Sequence, residues 1–250
     1  MSIQKIILII AAGMAGGFIN TMAGGGSMIT LPLLIFFGLP SAVANGTNRI
    51  ALMVENLTAV SNFKSRGYSN FSLSIKLGIP AVAGSIIGSR LAINLPDELF
   101  NQILAVVMFI MLGLILWNPT EKFTVVKENL SFKRQLAAST AFFFVGIYGG
   151  FVQAGVGIII IAALSIITGL SLIKINSIKV LVVAIYMLSS LLVFILNDKV
   201  NWTIGLTLAI GNGFGAWLAS TLAVQKGDKL IKIILSFAVI MMALNLLGIF

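Results

Sequence analysis

The sequence predicts an all-α integral membrane protein: a polytopic helical bundle of two inverted five-segment repeats, with short broken or re-entrant helices near residues 27–37 and 157–168. Three observations carry that prediction. First, 59% of the 250 residues are hydrophobic and 9% charged, with a mean hydropathy of +1.10. A soluble domain carries roughly 25% charged residues, so this chain has too little charge to coat a surface facing water. Second, several windows reach the ~17 to 25 apolar residues that cross hydrocarbon as helix, and none shows the roughly 10-residue alternation of an outer-membrane barrel. Third, the chain repeats itself. "GMAGGFIN" from Gly13 to Asn20 matches "GIYGGFVQ" from Gly146 to Gln153, and after a two-residue deficit the register holds: Gly38, Leu39, Asn45, Phe63, Asn70, Gly84, Ser89, Leu91 and Asp97 fall on Gly169, Leu170, Asn176, Phe194, Asn201, Gly215, Ser220, Leu222 and Asp228.

Breaks at Gly, Pro, Asn and charge clusters separate the segments. The first, 3–22, carries only Lys5 as a basic residue near its start and is followed by many further spans, so it is read as part of the mature protein rather than a signal peptide. The second, 27–37, follows Gly24, Gly25 and Gly26 and is too short to cross ~30 Å of hydrocarbon at 1.5 Å per residue. The third, 41–62, is polar: Asn45, Asn48 or Arg49, Leu52 and Asn56 recur at helical spacing, with Glu55 near the middle. The fourth, 71–95, carries Gly84 and Gly88, a spacing that lets helices approach closely. The fifth runs 98–117. The hydrophilic stretch "NPTEKFTVVKENLSFKR" then joins a first repeat, 1–117, through a linker, 118–132, to a second, 133–250.

The sixth segment, 133–153, ends at "QAGVG", a weaker echo of the triple glycine, and the seventh, 157–168, is again a half-length helix. The eighth, 172–196, places Asn176, Lys179, Tyr186 and Ser190 on a face comparable with the third. The ninth, 202–224, pairs Gly211 with Gly215 around Asn212, and the tenth runs 229–250. An odd number of crossings per half inverts the halves relative to one another. Most Lys and Arg then lie on the linker side, which the positive-inside rule places in the cytoplasm with both termini outside, in a multi-pass protein of the cell membrane. The net charge of +9 is explained by that rule, and no nucleic-acid partner is expected.

The chain has no Cys and no His. Disulfides, Cys/His metal sites, thiol nucleophiles and imidazole catalysis are excluded, so neither a metal nor a cofactor is expected. An intramembrane enzyme lacks a nucleophile with its base, and the chain is read as no enzyme. What remains is a binding site. Three glycines in hydrocarbon expose backbone groups that cost several kcal/mol unless they are buried in protein or face a wet cavity. Asn20, Thr21, Ser27 and Thr30 flank that break, Ser27 is placed to cap a helix starting at Met28, and a helix N-terminus favours an anion. The competing reading is a plain turn at the membrane edge.

Arg49 and Lys179 are candidate cations for the anion, with Asn45, Asn48 and Asn176 orienting it and Asn212 lining the path. Against this, Arg49 could snorkel, Lys179 could serve the positive-inside rule, and Glu55 could be a structural partner of Arg90. Read functionally, Glu55 is the proton-coupling carboxylate.

The stretch from Gly17 to Gly67 resembles the sulfite exporter TauE/SafE family of membrane permeases. The likeness lies in the Gly-rich break Gly24 to Gly26, Pro32 in the short helix, the Gly38-Leu39 turn and the run Ala44-Asn45-Gly46-Thr47-Asn48. It extends over essentially the whole chain, although the second half has lost the triple glycine ("GVGI") and the Gly-Thr pair ("NSIK"). The resemblance implies export or uptake of sulfite or small organosulfonates. The expectation is therefore a secondary transporter for a small sulfur-containing anion, working by alternating access with proton coupling. Asn20, Gly24, Gly25, Gly26, Ser27, Asn45, Thr47, Asn48, Arg49, Gln153, Asn176, Lys179 and Asn212 would bind substrate. A passive anion channel and a carrier for a small organic carboxylate are the alternatives. The expected partners are the anion and the lipid bilayer, with a homo-oligomer left open.

Overall fold

The computed structural model describes the backbone of residues 1–116 and 132–246, and side chains for residues 1–110, 136–227, 229, 230 and 233. Among the described residues there are nine helices: α1 (Ile3–Ala23), α2 (Ser27–Phe36), α3 (Ser41–Ser65), α4 (Phe71–Ile93), α5 (Asp97–Leu116), α6 (Phe132–Phe151), α7 (Val156–Thr168), α8 (Leu172–Leu196) and α9 (Trp202–Leu246). The linker lies outside the described residues except Phe132, which opens α6. The segments expected at 202–224 and 229–250 form one run, because Gly227 (φ 71°, ψ −168°) breaks the helix without a connecting loop.

Among the described residues, four helices are long and apolar enough to cross a membrane: α1, α4, α8 and the part of α9 from Trp202 to Gly227. At 25 residues α3 is as long as α8, but its Asn, Arg and Glu side chains lower its hydropathy. With 10 and 13 residues, α2 and α7 reach only about 15 and 20 Å. Pro32 lies inside α2 and has no N–H to donate to the Met28 carbonyl, which further loosens that short helix.

Polarity is arranged inside out. Arg49, Glu55 and Lys179 are 0%, 1% and 2% exposed, whereas Ile79 and Ile210 are 65% and 66% exposed, alongside Leu8, Phe109, Phe144 and Phe214. A water-soluble protein would reverse this distribution; an apolar belt around a polar interior suits lipid.

Helix pairing follows the small residues. Gly13 and Gly17 of α1 lie against the backbone of Leu208 and Asn212 in α9, while Gly211 and Gly215 of α9 lie against Ile10, Met14 and Phe18 of α1. The second pairing has the same form: Gly146 and Gly150 of α6 meet Ala81 and Ser85 of α4, and Gly84 and Gly88 meet Phe143, Ile147 and Phe151. At each position a Cβ would overlap backbone, so only glycine permits this approach, and dispersion over the close contact takes the place of a hydrophobic force that lipid does not supply. Thus α1 from the beginning of the chain packs on α9, and α6 packs on α4.

The two short helices seat in separate apolar clusters. Met28, Leu31 and Leu34 of α2 join Ala51, Phe100, Phe194 and Leu208. Ile160, Ile161 and Leu164 of α7 join Leu77, Phe142, Ile178 and Val182. The start of each short helix is left beside polar residues of α3 and α8.

Candidate substrate site

Gly24 ends α1 in a left-handed conformation (φ 86°), its N–H donating to the carbonyls of Asn20 at 2.8 Å and Ile19 at 3.2 Å. A side chain is excluded there twice, by that φ and by the backbone of Gly157, on which Gly24 lies. That contact brings the two chain breaks together, because Gly157 belongs to the first turn of α7. The second break is more strained: Gln153 holds φ 66° although it carries a side chain, and Gly155 follows at φ 72°.

Ser27 does not cap α2. The helix begins at Ser27 itself with Gly26 as the N-cap, and the Ser27 hydroxyl is buried without a partner. The physical reason is local: the Gly25 carbonyl already accepts from Met28 N–H at 3.0 Å, so the turn closes one residue earlier than a serine cap requires. Among the described residues, the N–H groups of Gly25, Gly26 and Ser27 donate to no acceptor.

Two buried networks converge on the breaks. In one, Glu55 accepts from Asn20 Nδ2 at 2.5 Å and from Asn212 Nδ2 at 2.7 Å. Lys179 donates through Nζ to the carbonyls of Asn20 at 2.9 Å and Thr21 at 2.8 Å, and Asn176 Nδ2 donates to the Met22 carbonyl at 3.2 Å. In the other, Arg49 donates to the carbonyls of Gly149 at 3.1 Å and Gly150 at 2.6 Å, and to Asn45 Oδ1 at 3.2 Å. The guanidinium also lies 4.5 Å from the centre of the Phe194 ring. Asn45 Nδ2 donates to the Phe151 carbonyl at 2.7 Å, and Ser89 bonds both Ser190 and the Gly150 carbonyl. Thr30 joins α2 to α3 through Asn48 Oδ1 at 2.8 Å.

The electrostatic consequence is specific. The last carbonyls of a helix carry the negative end of its dipole, and a cation there stabilises it. Lys179 does this for α1 and Arg49 for α6, so each cation reaches across to the other half of the chain. With the α1 carbonyls neutralised, the free N–H groups at the start of α2 dominate the first break. That arrangement favours an anion.

Repeat-related positions keep related jobs. Asn20 and Gln153 correspond, as do Glu55 and Tyr186; Asn20 bonds Glu55, and the Tyr186 hydroxyl donates to Gln153 Oε1 at 2.8 Å. Asn45 and Asn176 likewise correspond, and each donates to a carbonyl near the end of α6 or α1. Arg90, the alternative partner of Glu55, is exposed and takes no part. Neither Arg49 nor Lys179 snorkels to the surface of the bundle.

Thr47 is the expected site residue that points elsewhere: its hydroxyl accepts from Asn201 N–H at 2.9 Å at the start of α9. The roles of Tyr186 and the Gly149 and Gly150 carbonyls were missed by the sequence reading. The alignment of Tyr186 with Glu55 was the available signal for the first; a carbonyl has no signature in sequence.

Residues 9–246 match the family described as sulfite exporter TauE/SafE. The chain belongs to that family. Its relatives include a probable membrane transporter protein, ORF9, of a Sinorhizobium species, 26% identical with 99% of this chain and 94% of the relative covered. One from Haemophilus influenzae, also called a probable membrane transporter protein, is 28% identical over 95% of this chain and 93% of its own length. The probable membrane transporter protein YfcA of Escherichia coli K12 is 30% identical, covering 88% and 81%. No solved structure matches the chain.

Proposed function

We propose that this protein is a secondary carrier that moves a small sulfur-containing anion, sulfite or an organosulfonate, across the cell membrane by alternating access of two inverted halves. The observation that carries the reading is the meeting of the two chain breaks, Gly24 on Gly157, inside a bundle whose buried cations neutralise helix ends on opposite halves. The cross-half pairing of α1 with α9 and α6 with α4 supports inverted repeats, since equivalent helices make equivalent contacts. Family membership supports the substrate class, as the family description names sulfite, and the relatives' names support transport. Burial of the network supports a carrier over a permanently open pore, because Asn45, Asn48, Arg49, Glu55, Asn176 and Lys179 are all shielded from solvent.

In this mechanism the break binds the anion, and the halves rock about the Gly24–Gly157 contact to expose it to either side. Glu55, held by an amide from α1 and one from α9, couples a proton to that motion, because a change in its protonation alters which amide it can accept from. The linker lies in the cytoplasm and both termini outside.

Purified protein in liposomes, loaded with unlabelled sulfite or methanesulfonate, should take up the labelled anion by counterflow, with saturation. Uptake that neither saturates nor shows counterflow would identify a channel. A panel in which only short carboxylates move would replace the substrate class.

A further inference from the structure

We propose that the first half alone holds the anion, as an oxyanion with three acceptor oxygens at the N-terminus of α2, bound by the hydroxyls of Ser27 and Thr21 and the side-chain amide of Asn48. The inference rests on the carrier reading and deepens it by naming the donors and the substrate geometry.

Among the described residues six buried side-chain atoms have no hydrogen-bond partner, and they sort by half. Four are donors: the hydroxyls of Thr21 and Ser27, Nδ2 of Asn48 and Nε of Arg49, all contributed by α1, α2 and α3. The other two, Oδ1 of Asn176 and of Asn212, are acceptors. Their amide nitrogens are already engaged, on the Met22 carbonyl at 3.2 Å and on Glu55 at 2.7 Å. An anion is drawn to donors and repelled by carbonyl oxygens, so the unpartnered groups of the first half attract it and those of the second do not. Buried donors without a protein partner are rare, and a bound anion would satisfy this set of them.

Three of these four donors, on Thr21, Ser27 and Asn48, belong to α1, α2 and α3 beside the first break, while the Arg49 guanidinium is otherwise engaged at the end of α6. Ser27 is the first residue of α2, Thr21 belongs to the last turn of α1, and Asn48 is held against α2 by the hydroxyl of Thr30 at 2.8 Å. The unengaged N–H groups of Gly25, Gly26 and Ser27 lie in the same turn. The second break is built differently. Its Gln153 is tied to Tyr186, and α7 opens with Val156 and Gly157, which bring no hydroxyl. Three side-chain donors match the three pyramidally arranged oxygens of a sulfonate or sulfite one to one, whereas a planar carboxylate has to share one oxygen between two donors that approach from different directions, which weakens its fit.

Titration calorimetry on the full chain in detergent, with methanesulfonate and acetate as probes, tests this. One methanesulfonate should bind per chain, about tenfold or more tighter than acetate. Ser27→Ala and Thr21→Val should each weaken it by about tenfold or more, whereas Ser27→Thr, which keeps the hydroxyl and controls for folding, should stay close to wild type. Tyr186→Phe, at the second break, should leave the affinity within about twofold. Methanesulfonate binding that the Ser27 and Thr21 variants leave intact, that Tyr186→Phe weakens equally, or that has two sites per chain overturns the one-sided site while the carrier stands. Acetate bound as tightly as methanesulfonate overturns the three-oxygen geometry. If the wild type binds neither anion and shows no counterflow in liposomes, the carrier reading falls with the proposal.

Discussion

Arg49 donates to two carbonyls at the end of α6 and to Asn45 while wholly buried, so its removal leaves acceptors stranded in a dry interior. Each stranded carbonyl costs about 1–3 kcal/mol. Arg49→Ala should therefore unfold at lower denaturant and lose transport. Arg49→Lys, with one ammonium in place of a planar fork, should recover stability in part and transport poorly; wild-type uptake by either variant would remove Arg49 from the mechanism. Glu55 sits between two amide donors. In Glu55→Gln one of those donors meets an amide NH₂ rather than an oxygen, with a loss of about 1–3 kcal/mol. Counterflow should survive in that variant while stimulation by a pH gradient disappears. A gradient response equal to wild type would take proton coupling away from Glu55.

Helix pairs depend on backbone approach, so glycine substitutions should grade by what a new Cβ meets. At Gly17 it would overlap the Asn212 backbone, with no flexible side chain to yield, and at Gly24 it would meet both Gly157 and an unfavourable φ. Gly38 shares a positive φ but has open space around it. Substitution by Ala should thus cost about 1 kcal/mol at Gly38 and clearly more at Gly17 and Gly24, read as thermal unfolding in detergent. Equal melting of the three variants would show that α1 and α9 are not packed as closely as the structure has them. The kink at Gly227 is likewise an element-level device, turning one apolar run into two helices without a loop.

For the molecule as a whole, the inside-out distribution of polarity and the reciprocal reach of Lys179 and Arg49 make the halves interdependent. Absence of native cysteine makes the topology directly measurable. Single cysteines introduced at exposed Ser65, near the end of α3, and at exposed Ser2, before α1, should be labelled from opposite sides of the membrane by an impermeant maleimide. Ser65 should react from the cytoplasm. Labelling of both from one side would rule out the inverted arrangement of termini and linker, because the start of α1 and the end of α3 would then lie on the same face.

Much of the fold was legible because hydrophobic length and glycine spacing are one-dimensional signals. Apolar runs located the first eight helices to within a few residues but split the ninth, whose kink at Gly227 needs no loop, and the GxxxG pairs marked the surfaces that pack. The polar stripe on α3 and its echo on α8 could be read for the same reason: a 3.6-residue period puts them on one face. Ser27 shows where such reading stops. Its place after three glycines suggested a cap, but whether a hydroxyl caps or stays free depends on how the preceding turn closes, and Gly26 took that position.

By itself, then, the sequence determined a helical membrane protein, a motif near its start that recurs further along the chain, and a short list of polar residues too costly to bury without purpose. Only the tertiary structure decided what those residues do to one another. It set Arg49 and Lys179 on carbonyls of α6 and α1, gave Glu55 an amide from each of two helices, and, among the described residues, left the unpartnered buried side-chain donors on α1, α2 and α3. Hydrogen-bond partners more than 100 residues apart, such as Arg49 with Gly150 or Lys179 with Asn20, are fixed by packing in three dimensions. The carbonyls that accept from them look the same at every position of the chain.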